Sequence, residues 1–173
     1  QDTGEVIIGS QKVSDKRIHV KPESRGVGMV FQDPYLWQHM TVRKNIEFGL
    51  KDNMARMYGG KELYSELSLE KVLEKYPGEI SGGEAKRVAL ARMMRLKWQY
   101  LLLDEPLAHV DQEMSYRIID FIKEFVKDNN TTLIYVTHNN RLSGRIGGRD
   151  IILDRLMDTV QGGDNQNEET NYT

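Results

Sequence analysis

Tyr100-Leu101-Leu102-Leu103-Asp104-Glu105-Pro106 is the stretch on which the fold turns. Three consecutive leucines bounded by two carboxylates and a proline make too short a run for a helix and suit a buried strand. Outward toward the C-terminus, Met114, Ile118, Phe121, Ile122 and Phe125 form the stripe of a core-facing helix between Gln112 and Asp128. Asn129-Asn130 suits the end of that helix. Thr132 to Val136 predicts the next strand, and Asp150 to Leu153 a last one. Strands alternating with helices over 97–154 argue for an α/β protein with a parallel sheet. Toward the N-terminus, Val27 to Phe31 predicts another buried strand, closed by the turn signal Gln32-Asp33-Pro34. Gly4 to Gly9 and Arg17 to Val20 predict two shorter strands, the second stopped by Pro22. Ser81 opens a long helix to about Leu96. Residues 41–95 contain no strand pattern, only helical segments broken at Gly59-Gly60 and Pro77-Gly78, and read as a helical insertion. The division expected is an α/β core at 1–40 and 96–160, a helical subdomain at 41–95, and a tail at 161–173. That tail carries acids, no base and almost nothing apolar, the composition of a disordered segment.

Composition bounds the function. A length of 173 residues predicts one domain. The 24 basic and 26 acidic residues leave a net charge of −2, which excludes nucleic-acid binding by bulk positive charge. The sequence has no cysteine, so disulfides, thiol catalysis and cysteine-ligated zinc are out. No apolar run approaches the ~18 residues that span a bilayer. Asn129, Asn130 and Asn171 match the glycosylation acceptor pattern, and the absence of a signal-peptide pattern makes these chance matches.

Three groups of residues carry chemistry. Ser81-Gly82-Gly83-Glu84 opens a helix with a capping box, in which the Ser81 oxygen accepts from the third amide and Glu84 reaches back to the Ser81 amide. A cap alone does not call for two glycines, each of which costs roughly 1 kcal/mol inside a helix. Bare glycines let an anion approach the free amides at the helix mouth. Asp104 and Glu105 end a strand, where α/β sheets bind their ligands. Alternation along the strand points them to opposite sides, Asp104 suited to Mg²⁺ and Glu105 to an attacking water. Gln32 and His138 each follow a strand and sit at the same edge of the sheet.

Five motifs in order carry a resemblance: Val30-Phe31-Gln32; His39-Met40-Thr41-Val42 with Asn45-Ile46; Tyr76 to Glu84 with Arg87-Val88-Ala89 and Ala91-Arg92; Leu102 to Leu107 with Asp111; and Val136-Thr137-His138. Together, across residues 4 to about 155, the chain resembles the nucleotide-binding subunit of an ATP-binding-cassette (ABC) transporter. The resemblance implies a P-loop NTPase-type, mostly parallel sheet with an inserted helical subdomain, and ATP and Mg²⁺ as ligands. It implies that Gln32 touches Mg²⁺ and the attacking water, that Asp104 holds Mg²⁺, that Glu105 is the general base and that His138 senses the γ-phosphate. Ser81, Gly82, Gly83 and Glu84 resemble the signature motif, which caps a nucleotide held by the opposite subunit, and Asp111 ends the loop after Glu105. Such sites work by positioning and charge stabilisation around the γ-phosphate.

The sequence also departs from the family pattern. No G-x-x-x-x-G-K-[ST] occurs in it; Gly4 and Gly9 have the spacing without the lysine. The simplest reading is an incomplete cassette, its sheet short of a central strand and one apolar face uncovered, which alone binds MgATP poorly and does not turn it over. Ala108-His109 stand where a serine or small residue is expected, and Asn139 where an aspartate is frequent. The interval between Gln32 and Ser81 suits a compact helical subdomain and excludes a long coiled coil. The local wording resembles importers of polar solutes, nearest to molybdate/sulfate and sugar importers. The partners implied are a second ATPase subunit in a head-to-tail dimer and transmembrane permease subunits, with no nucleic acid. The implied location is cytoplasmic, on the inner face of the membrane. The alternatives are a truncated, non-catalytic cassette that only binds a partner, and an ABC ATPase without membrane partners.

Overall fold

A computed structural model describes residues 4–48 and 60–151. Its centre is a three-stranded parallel sheet of β3 (Val27–Val30), β4 (Tyr100–Asp104) and β5 (Thr132–Val136), in that order. Register sets Gly28 beside Leu101 and Leu133, and Val30 beside Leu103 and Tyr135. These six residues, five side chains and one glycine, alternate with Met29, Leu102 and Ile134, which share the opposite face. The first face is the buried one: Leu101 and Leu103 are sealed from solvent within a single apolar cluster that also holds Val88, Leu90, Ile118, Ile122 and Phe125.

Two helices supply that cover. Helix α3 (Gly82–Met94) buries Val88 to Ala91 and Met94, and α4 (Gln112–Asp128) buries Ile118, Ile119, Phe121, Ile122 and Phe125 along the predicted stripe. Asp111 starts α4 by accepting from the Met114 amide at 2.9 Å. Asn130, in the left-handed region at φ +51°, ends it. Between β3 and β4 lie α1 (Val42–Glu47), α2 (Gly60–Glu66) and α3, with single 3₁₀ turns at Glu70–Val72 and Pro77–Glu79, and α1 packs against α3. A short α5 (Asn140–Ile146) follows β5 and lies on α4. Among the described residues no helix is long and apolar enough to cross a membrane.

The N-terminal expectation needs correction. The strand predicted over Gly4–Gly9 is β1 (Val6–Ile8), but its partner is β2 (Gln11–Ser14), joined antiparallel through Gly9-Ser10 with Gly9 at φ +59°. Arg17–Val20 forms no strand, only a single bridge between Ser14 and His19. The reason is local: the Asp15 carboxylate accepts from the Arg17 and Ile18 amides, both at 2.6 Å, and bends the chain into a turn. Of the predicted last strand, Asp150 and Ile151 have no strand pairing. Residues 152 onward, with the predicted tail, lie outside the described residues, as does Gly59.

Among the described residues, nothing covers the far face of the sheet. Phe31, Ile134 and Val136 are about half exposed, and Met29 nearly so. Exposed apolar patches and unpaired strand edges drive association. The isolated 173-residue chain is therefore expected to enhance the fluorescence of a hydrophobic dye and to self-associate as concentration rises. A dye-silent, concentration-independent monomer in analytical ultracentrifugation would contradict this.

Candidate functional site

The C-terminal ends of the three parallel strands converge, and the predicted residues divide there into two sets. β4 ends at Asp104, and the next residue, Glu105, adopts φ +44°, a left-handed conformation that is unfavourable for a non-glycine residue and concentrates at functional sites. The Glu105 amide donates to the Val136 carbonyl at 3.0 Å, which locks the turn to β5. The turn swings the Glu105 side chain across to the end of β5. Oε1 accepts from the His138 amide at 2.7 Å and meets His138 Nδ1 at 2.5 Å. Oε2 accepts only a long contact, 3.4 Å, from the Thr137 hydroxyl. Glu105 is mostly shielded while the His138 ring is 84% exposed, so the pair presents a held carboxylate behind a free imidazole edge.

Gln32, exposed just beyond β3, lines the same cavity of about 350 Å³ as Glu105 and His138, together with Tyr135, Thr137 and Arg141. Burial, with the Glu105 charge as a smaller cause, pushes the Tyr135 phenol far above its ordinary value, so the hydroxyl is a neutral donor at any physiological pH. Its oxygen is buried without a hydrogen-bond partner among the described residues.

Asp104 is not among the residues lining this cavity. Alternation along β4 places it on the open face of the sheet beside Val136. No cluster of three or more carboxylates and histidines suited to a metal occurs among the described residues. A Mg²⁺ held with a nucleotide does not need one, since one or two carboxylates plus phosphate oxygens and water suffice. The carboxylate of Asp104 and the carboxamide oxygen of Gln32 are hard donors of the right kind.

The predicted capping box is formed. Ser81 Oγ accepts from the Glu84 amide at 3.2 Å, and Glu84 Oε2 accepts from the Ser81 amide and hydroxyl at 2.7 and 2.8 Å. Those bonds, from the amide first, hold the Glu84 carboxyl below its ordinary value. The mouth of α3 stays open at Gly82, where an added Cβ would meet nothing within 4 Å. Gly83 is tighter, its Cβ position lying 3.4 Å from the His109 carbonyl oxygen. Ser81 to Glu84 therefore do not join the Gln32–Glu105–His138 cavity but stand beside the loop at His109, which is itself at φ +66°. Asp111 spends its side chain capping α4. Sequence reasoning missed Thr137 and Lys86, whose ammonium donates to the Glu105 carbonyl at 3.1 Å. Thr137 had a signal, being next to His138; Lys86 had none.

Comparison with known proteins bears on the family and the fold. The family model described as ABC transporter matches residues 1–108. A molybdenum import ATP-binding protein ModC from Pectobacterium atrosepticum is 31% identical over 163 residues, which cover 93% of this chain and 46% of that protein. The protein of the same name from Yersinia pestis bv. Antiqua is 33% identical over 92% of this chain and 45% of its own length. The chain thus spans about half the length of the curated relatives it matches. Among solved structures, a dimeric ATP-binding cassette in a post-hydrolysis state with ADP and Pi superposes with a TM-score of 0.69. It is 24% identical and covers 83% of this chain and 66% of its own, and speaks for the fold alone.

Proposed function

Because the chain belongs to the ABC transporter family, we propose that it is part of the ATP-hydrolysing subunit of an importer for a polar solute or oxyanion. The observation that carries this reading is the convergence of Gln32, Glu105 and His138 on one cavity at the carboxyl edge of the sheet. Likeness to the molybdenum import proteins supports the oxyanion. The α/β core is assigned to 1–40 and 96–160 and the signature-bearing helical part to 41–95.

The chemistry follows from the donors. Glu105 Oε2, free of any short bond, takes the proton of a water attacking the γ-phosphate, as a general base worth ~10²–10⁴ in rate. His138, tethered to Oε1, offers its ring edge to the phosphate oxygens. Bound Mg²⁺, held by Asp104 and Gln32, would neutralise charge on the nucleotide oxygens. The amides at Gly82 and Gly83, with Ser81, close over a nucleotide carried by a second subunit in a head-to-tail dimer. The helical part docks on transmembrane permease subunits, which places the chain on the cytoplasmic face.

The test is to purify the native complex through a tag on this chain and assay MgATP hydrolysis, with Gly82→Ala as the diagnostic variant. Alanine fits this position sterically, and loss of glycine's unfolded-state freedom stabilises the fold by ~0.4–1 kcal/mol. Turnover is nevertheless expected to fall about 10²-fold, because the methyl holds the phosphate off the amides. A complex without hydrolysis overturns the ATPase; hydrolysis without a membrane chain overturns the transporter. Full turnover by Gly82→Ala overturns the role of the helix mouth.

A further inference from the structure

Arg92 meets no carboxylate among the described residues. Arg92, three turns into α3 from Ser81, is half-buried; Nη1 donates to the Tyr35 carbonyl and Nη2 to the Pro34 carbonyl, both at 3.2 Å. Its guanidinium carbon stands 4.7 Å from the Trp37 ring centroid. Nε is buried with no hydrogen-bond partner among the described residues. Burial pulls the group below its ordinary value. A helix that needed only packing here would be served by leucine or methionine, without the desolvation of a charge.

The segment that Arg92 grips is shaped to be gripped. Tyr35, at φ +41°, turns the chain so that two successive carbonyls face α3. A fork of parallel N–H donors and a flat, weakly hydrated cation that stacks on an indole are properties of arginine that lysine lacks. At its other end the segment is tied to α1: the Trp37 amide donates to Asn45 Oδ1 at 2.8 Å, and Asn45 Nδ2 donates to the carbonyls of Trp37, Met40 and Thr41 at 3.1 Å. Asn45 is fully buried, and α1 packs against α3. Residues 34–41 therefore ride on α1 and α3, while Gln32, two residues earlier, lines the cavity of Glu105 and His138.

We propose that Arg92 is a positioning residue: it fastens the chain after Gln32 to the helix that begins at Ser81, so that displacement of the helix mouth displaces Gln32 in the catalytic cavity. This rests on the ATPase reading above for its functional consequence, but not for the tie itself.

Two variants and two readouts test it. Arg92→Met keeps the apolar stem and removes the fork; Arg92→Lys keeps the charge but replaces the planar fork with a single ammonium. In the full 173-residue chain, Arg92→Met is expected to raise amide hydrogen exchange at Trp37 and Met40 at least about tenfold, the loss of charge-assisted bonds. Exchange in α4 stays unchanged, and Arg92→Lys lies between. Unchanged exchange at Trp37 and Met40 overturns the tie, and a uniform rise across α4 reduces Arg92 to general packing and overturns it too. In the native complex, Arg92→Met is expected to lower kcat for MgATP by about 10–100-fold with KM for ATP little altered. An unaltered kcat beside raised local exchange overturns the positioning role. A wild-type complex that hydrolyses no ATP sinks the ATPase reading, and the exchange result then still decides the tie.

Discussion

Glu105→Gln is expected to lower kcat for MgATP in the native complex by about 10²–10⁴-fold while leaving the chain folded and nucleotide binding intact. The substitution is isosteric. A carboxamide oxygen in the place of Oε1 still accepts from the His138 amide, and the Thr137 hydroxyl rotates to suit the other terminal atom. The bond from the Glu105 amide to the Val136 carbonyl and the Lys86 bond to the Glu105 carbonyl are backbone features and survive. What disappears is the capacity to accept a proton from water. Turnover of the Gln variant within tenfold of wild type, measured by phosphate release, would remove Glu105 from the role of base. Glu105→Ala should differ in kind: it also loses the side-chain strut between the ends of β4 and β5, so its melting temperature falls as well.

The second large effect concerns Gly28, in the middle of β3. A Cβ there would sit 2.7 Å from two atoms of the Trp98 indole and 2.9 Å from a third. The ring has no easy retreat. Its N–H donates to the Met93 carbonyl at 2.8 Å, and the Thr131 hydroxyl donates to the Trp98 carbonyl at 2.7 Å. Overpacking of this kind costs ~1–3 kcal/mol. At about 2–4 °C per kcal/mol for a chain of this size, Gly28→Ala should melt about 2–12 °C below wild type. Trp98→Leu destabilises alone, by opening a cavity, but in combination the two changes should be less harmful than their sum, because the smaller side chain makes room for the methyl. Strict additivity in denaturant melts would show that the ring and Gly28 do not meet.

Local periodicity carried much of the architecture. Helix α4 runs from Gln112 to Asp128 and β5 from Thr132 to Val136, as their apolar patterns predict, and β4 overshoots its prediction only by Asp104. These elements are legible because a core-facing stripe or a short apolar run is written in consecutive residues. The hairpin was not: β2 reads as polar, since only Val13 of Gln11–Ser14 is buried, and the Asp15 side chain defeats the apolar run that follows. Nor was α5, a helix begun by the Asn139 side chain over a segment with little apolar pattern.

The candidate site divides along the same line. Which residues have the chemistry (an amide, two carboxylates, an imidazole, a glycine-bared helix mouth) stands in the sequence, as does their place at strand and helix ends. Which of them meet does not. Alternation on β4 predicts Asp104 and Glu105 on opposite sides, but the left-handed turn at Glu105 is what carries its oxygens onto His138, more than thirty residues away. The Arg92 grip on Pro34 and Tyr35, the indole against Gly28 and the open face at Phe31 and Val136 likewise depend on parts of the chain far apart in sequence. Sequence determines the elements because backbone preference and the spacing of apolar side chains are short-range. Tertiary structure alone decides the contacts, because they depend on how register and packing bring separate elements to one edge of a sheet.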